Sequence, residues 1–340
     1  MKKIIICFLL LLGITGCGKR GEDTLNVLNW SSYIPDSIIE DFEEETGIIV
    51  NYSTYSSNEE LLAKISSAKE GTYDLIFPSD YMIELMINRD LLEPLDKSKL
   101  KNINNLKKEY LNLDYDKNNT YSLPFLATTT VIAVNREHIK DNITSYNDLL
   151  NPNYKNNIVL LDDQRIVIGM ANQALGYSMN TTNDSELKKA EEFLLDLKKN
   201  IKAYDSDSPK TLLITNEVDI GVMWNAEAAL ALQENPNIEI IFPKENGALS
   251  IDNYAIVKGA KHKDNVYKFI DYILRPEVMK QIIEEYPYIN VNDKTEKLLS
   301  NEYLNNKAAN IPDYIIKQAE MVQNIGSNID KYDKLWALIK

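Results

Sequence analysis

The stretch LNVLNWSSYIPDSIIEDFEEETGIIVNYSTYSSNEELLAKISSAKEGTYDLIFPS, residues 25–79, decides the fold class. Leu25 to Leu28 predicts a short strand. Pro35 stands where the first helical residue belongs, and Ile38, Ile39 and Phe42 then share one helical face up to Gly47. Ile48 to Tyr52 predicts the next strand. Ser57 and Glu60 have the spacing of a capping box and open a helix ending near Gly71. Tyr73 to Phe77 reads as a third strand, stopped by Pro78. Strand, helix, strand, helix, strand is the pattern of an α/β fold with a parallel sheet and right-handed crossovers.

The alternation resumes downstream. Val131–Val134, Ile158–Leu161, Val218–Met223, Ile238–Phe242 and Tyr254–Val257 read as strands. Arg165–Leu175, Glu186–Lys199, Ala226–Gln233, His262–Leu274 and Pro276–Glu285 read as helices. There is no internal repeat and no Gly/Pro/Ser-rich linker, so any two domains are joined tightly. Open α/β sheets bind ligands beyond the carboxyl ends of their strands. That rule singles out Trp30-Ser31-Ser32-Tyr33, Ser79-Asp80-Tyr81, Asp162-Asp163, Trp224 to Glu227 and Ser250 to Asp252.

The chain ahead of this body is of a different kind. Lys2 and Lys3 precede nine apolar residues, Ile4 to Leu12, and Ile14-Thr15-Gly16-Cys17 follows. The run is too short for a membrane span and reads as a secretion signal. Small residues just before a cysteine are similar to a bacterial lipobox, in which cleavage leaves Cys17 as an acylated N-terminus. Residues 1–16 are then the signal peptide and 17–23 a polar tether, and the mature chain is left without a thiol. Removing two lysines leaves 35 basic against 51 acidic residues. That excess of acid argues against a general nucleic-acid binder, which needs Lys and Arg to displace counterions from phosphates. It keeps the chain soluble and points weakly to a cationic partner.

Catalytic equipment is thin. The two histidines, His138 and His262, lie in polar contexts and read as solvated surface residues. There is no G-x-S-x-G elbow, no G-x-G-x-x-G, no P-loop and no H-E-x-x-H. No adjacent tyrosine pair offers an iron site. Neither enzymatic activity nor a metal or cofactor is expected. The strand-end residues form a more coherent set. Trp30, Tyr33, Tyr81, Trp224 and Tyr288 offer π-faces, and Asp163, Glu227 and Asp252 offer negative charge. A flexible alkyl polyammonium needs this combination: flat apolar walls for its methylenes and carboxylates for its ends, because a buried unpaired ammonium is costly. Taken singly, each aromatic also fits ordinary core packing, and each acid a solvated surface or a helix cap.

At these residues the chain resembles the bacterial spermidine/putrescine-binding proteins of ABC importers. The matching runs include Asn29-Trp30-Ser31-Ser32-Tyr33-Ile34-Pro35, Tyr73-Asp74-Leu75-Ile76-Phe77-Pro78-Ser79, Tyr121-Ser122-Leu123-Pro124-Phe125, Trp224-Asn225 and Leu274-Arg275-Pro276-Glu277-Val278. The resemblance implies a monomeric, two-lobed receptor of the type II periplasmic-binding class, each lobe a mostly parallel sheet flanked by helices. The ligand lies in the cleft between lobes, and the closed form is presented to a membrane permease. The N-terminal lobe would take residues 24–131 plus about 250–298, and the C-terminal lobe 132–249 plus about 299–340. The resemblance places aromatic walls at Trp30, Tyr33, Tyr81, Trp224 and Tyr288. Hydroxyl and amide contacts fall on Ser31, Ser79 and Gln323, and ammonium-binding acids on Asp163 and Asp252. Glu227 matches an acid of putrescine-type members. Ser32 and Ile166 stand where acids are usual and Ser250 where a Trp or Phe is usual, so fewer charges favour a diamine over a triamine. The alternatives are a receptor for another organic cation, an exported hydrolase, and a ligand-free adhesin.

Overall fold

A computed structural model describes residues 23–340. The secretion signal and Cys17 lie outside the described residues. In chain order the strands are β1 (Thr24–Trp30), β2 (Ile49–Tyr55), β3 (Leu75–Ile76), β4 (Leu92–Glu93), β5 (Ser122–Asn135), β6 (Ile158–Leu160), β7 (Ile201–Tyr204), β8 (Ile220–Trp224), β9 (Ile238–Ile241), β10 (Ala248–Val257) and β11 (Glu320–Met321). The helices that frame the site are α1 (Asp36–Thr46), α2 (Asn58–Ser67), α3 (Asp80–Asn88), α4 (Gln164–Ala174), α5 (Asp184–Leu197), α6 (Pro209–Ile214) and α7 (Asn225–Glu234).

The opening stretch folds as its sequence predicts. The strands β1, β2 and β3 are parallel neighbours in the order β2-β1-β3. Between them α1 buries Ile38 and Phe42 and ends on Gly47, whose left-handed φ of 72° lets its N–H reach Glu43 O. Such a φ disfavours any residue with a Cβ. Pro35 is the cap residue rather than the first helical one. In α2 the Ser57 hydroxyl accepts from Glu60 N at 3.1 Å, while the Glu60 carboxylate turns back to Ser56, whose N–H and hydroxyl each donate at 2.8 Å. This is a capping box shifted outward by one residue. The helix stops at Ser67, short of the expected Gly71, and β3 keeps only two of the five residues expected.

Two long strands carry the rest. All fourteen residues of β5 and all ten of β10 are buried. They pair with each other antiparallel, and β10 pairs antiparallel with β3, as β5 does with β8. Beyond β8 the ladder is parallel again, in the order β8-β6-β7. The sheets are therefore mixed, with parallel outer ladders joined by an antiparallel centre, rather than mostly parallel. Short apolar runs at Val131–Val134 and Tyr254–Val257 mark only the ends of β5 and β10. The polar stretches Thr128-Thr129-Thr130 and Ser250 to Asn253 do not look like buried strands. They are tolerable there because partners exist: the Thr128 hydroxyl and Thr129 N–H donate to Asn225 Oδ1 at 2.9 and 3.1 Å.

His262 departs from the expectation of a solvated residue. Its side chain is 15% exposed, and its Nδ1 lies 2.9 Å from the carboxylate of the fully buried Asp74. Burial raises the Asp74 pKa, but bonds from His262 and Asn26 outweigh it and hold the carboxyl below its ordinary value. His138 is exposed beside Asp219.

Candidate functional site

The carboxyl ends of β1, β2, β3, β6, β7 and β8 converge on one cavity of about 710 Å³. Eight carboxylates and two basic side chains line it. All five aromatics singled out in the sequence are in its wall, as are Ser31, Ser32, Ser79, Asp163, Glu227, Ser250 and Asp252. Ser31 and Ser32 are exposed at the rim, Ser32 with a left-handed φ of 54°.

Asp252 is the most constrained of these. The β10–β5 ladder breaks register between Asp252 and Asn253, where Asp252 faces Leu126 and Asn253 faces Pro124. Phe125 is the extra residue of this bulge, and Pro124 has no N–H to give a regular ladder. On its other edge Asp252 bridges Ser79, continuing the β10–β3 register three residues past Ile76. The Asp252 carboxylate is 3% exposed and accepts from the Tyr33 hydroxyl at 2.8 Å and the Ser79 hydroxyl at 2.7 Å. Burial pushes its pKa up to about 6, although both hydroxyls favour the ionised form. Next to it Asp80 is fully buried, accepts from Tyr81 N and Ile251 N, and is driven upward by the same loss of water.

The aromatic walls are fixed by their own partners. Trp30 Nε1 donates to Phe77 O at 2.9 Å, and its ring packs 4.5 Å from Tyr55 and 6.1 Å from Tyr33. Tyr33 in turn lies 4.5 Å from Tyr288. Trp30, Tyr33 and Tyr288 thus form a continuous π-surface around Asp252.

The other two acids have different company. Asp163 caps α4, its Oδ1 accepting from Arg165 N and Ile166 N at 2.8 and 3.1 Å. The cap occupies one oxygen of a carboxylate that has two. Burial raises its pKa. Glu227, in the first turn of α7, is already held by a cation, since Lys210 Nζ donates to both of its oxygens at 2.9 Å. Its charge is therefore already matched by a cation of the protein.

A family model described as "Bacterial extracellular solute-binding protein" matches residues 37–310. The chain belongs to that family. The "Spermidine/putrescine-binding periplasmic protein" of Salmonella typhimurium is 40% identical over 332 residues, covering 97% of this chain and 95% of that protein. The spermidine/putrescine ABC transporter substrate-binding protein of Streptococcus pneumoniae superposes with a TM-score of 0.81 at 35% identity, covering 93% of this chain and 98% of that one. A lipoprotein of Treponema pallidum superposes with a TM-score of 0.85 at 26% identity, covering 94% and 99%. The fold is that of the periplasmic binding proteins, a non-enzymatic class that works outside the cytoplasm.

Within this solute-binding protein one expected residue stands apart. Gln323 is exposed and is not among the cavity-lining residues; its neighbour Val322 is. Its backbone is engaged instead, the N–H donating to Asn180 Oδ1 and the carbonyl accepting from Arg165 Nη2, each at 2.9 Å. Several lining residues escaped the sequence reading. Arg165 is 2% exposed and lies 5.6 Å from the Tyr81 ring, so the receptor supplies a cation of its own to one aromatic wall. Glu59 at the start of α2 accepts from the Tyr81 hydroxyl at 3.3 Å, and burial followed by the Asp163 charge raises its pKa. Tyr204 and Trp336, with rings 5.2 Å apart, stand with Asp205 and Asp207 at another part of the wall. The strand-end rule would have found Ser56 to Glu59 and Tyr204 to Asp207 had β2 been read to its true end and β7 read at all.

Proposed function

We propose that this solute-binding protein captures a small polyamine, putrescine or spermidine, and delivers it to the permease of an ABC importer. The observation that carries this reading is Asp252: a buried carboxylate whose bonding partners among the described residues are neutral groups, ringed by Trp30, Tyr33 and Tyr288, in a cavity rich in acid. A protonated amine is the ligand such a group lacks. A charge-assisted hydrogen bond contributes roughly 1.5–3 kcal/mol. A cation over an aromatic face adds about 0.5–2 kcal/mol. Two ends bound in this way sum to roughly 4–10 kcal/mol, a span that includes the roughly 8 kcal/mol of micromolar binding. The relatives' names agree with the chemistry.

Around this site we read two lobes, residues 24–131 plus about 250–298 and residues 132–249 plus about 299–340, hinged where β5 and β10 pass between them. Closure on the ligand creates the surface the permease selects. The lipobox-like Ile14-Thr15-Gly16-Cys17 supports tethering of the mature protein to the membrane by acylated Cys17. A thermal-shift series with putrescine, cadaverine, spermidine and spermine tests the ligand class. At about a hundred times Kd, a ligand stabilises the fold by about 2.7 kcal/mol. A rise of a few degrees with one or more of the four is expected, and no rise with any of them at millimolar concentration refutes the polyamine reading.

A second reading, a different organic cation, draws on Ser250 and Ile166, which line the cavity where the resemblance expects an aromatic wall and an acid. Native mass spectrometry of the protein as purified would reveal such a ligand by its mass.

A further inference from the structure

The Lys210–Glu227 pair is not used by polyamine binding as proposed above. Glu227 is 8% exposed and lines the cavity three residues beyond Trp224. Lys210 follows Pro209 in the first turn of α6, which packs on α7. Its Nζ sits 2.9 Å from both Glu227 oxygens, with side-chain exposures of 22% and 10%. This is the geometry a ligand ammonium would adopt on a buried carboxylate. By comparison, neither Asp252 nor Asp163 forms an ion pair among the described residues: Asp252 is bonded by hydroxyls and Asp163 by backbone N–H groups. Of the three acids that the sequence singles out, two present neutral donors and one carries a resident ammonium. A third ligand nitrogen brought to Glu227 would meet a like charge a few ångströms away in a wall that excludes most water.

We propose that Lys210 is a specificity-determining residue: although not among the residues that line the cavity, its ammonium already matches the Glu227 charge, so that the cavity selects a ligand with two ammonium groups over one with three. This rests on the polyamine reading and sharpens it to a diamine. The test is titration calorimetry of putrescine and spermidine against the wild-type protein and its Lys210→Met and Lys210→Arg variants. Wild type binds putrescine more tightly than spermidine. Lys210→Met leaves Glu227 to seek another cation and moves the affinity ratio toward spermidine by about tenfold or more. Lys210→Arg keeps the wild-type ratio. A wild type that prefers spermidine overturns the proposal, and so does an unmoved ratio in a folded Lys210→Met protein. If the unmatched carboxylate prevents that variant from folding, Lys210→Gln, a neutral side chain that can still hydrogen-bond Glu227, decides by the same ratio: a shift toward spermidine supports the proposal and an unmoved ratio overturns it. If wild type binds no polyamine, the functional reading fails and takes this inference with it. If wild type binds and the ratio stays, the inference alone fails.

Discussion

Asp252 and Glu227 are both buried acids in the wall of one cavity, and burial raises the pKa of both. Their surroundings make them opposites. Asp252 sits at a strand bulge among hydroxyls and π-faces, where no cation of the protein pairs with it among the described residues. Glu227 sits at a helix start, where Lys210 reaches it from the neighbouring helix. A carboxylate in a cleft is thus not in itself a cation site. What matters is whether its charge is already matched, and only bonding partners reveal that.

Three measurements press on that difference. Asp252→Asn removes the unmatched charge, and putrescine affinity should fall at least tenfold by calorimetry; an unchanged affinity would remove Asp252 from the site. Next comes pH. The ligand requires ionised Asp252, and in the empty protein that group protonates at about 6. Affinity should therefore be flat above pH 7 and about tenfold lower at pH 5, because binding must then expel a proton. The empty protein has the opposite sign. Its Asp252 pKa is raised from the ordinary 3.8 to about 6, so this group's contribution to stability grows as pH falls through 6 toward 3.8. A pH-independent affinity between 7 and 5 would contradict the assignment. Smallest is Tyr33→Phe. It deletes one hydroxyl that favours the ionised form and should move the midpoint of the affinity–pH curve upward by about half to one pH unit. An unmoved midpoint would mean that the Tyr33 bond does not act on Asp252.

Sequence patterns carried the first parallel ladder well, missed β7 in the second, and read the antiparallel centre poorly. α1 and the first three strands were legible because Pro35, Gly47, Ser57 and Pro78 punctuate clean apolar periods. β5 and β10 were half-seen because their polar residues are satisfied by distant groups such as Asn225, which no local window contains. At the site, strand-end position found twelve of the cavity-lining residues. It could not show that Lys210, outside the cavity lining and seventeen positions before Glu227 on another helix, matches the charge of Glu227. It also missed Arg165, which sits among acids and aromatics only after folding. Gln323 failed for a related reason, since the backbone bonds that fix its loop point to Asn180 and Arg165. Types of residue at strand ends can be read from sequence; which charges cancel there cannot.

The most direct test is a crystal structure of the protein with putrescine. The account predicts one ammonium within hydrogen-bond reach of Asp252 beside Trp30, Tyr33 and Tyr288, the other toward Asp163, and Lys210 still on Glu227. An ammonium seated on Glu227 with Lys210 displaced, or a putrescine that leaves Asp252 untouched, would contradict it.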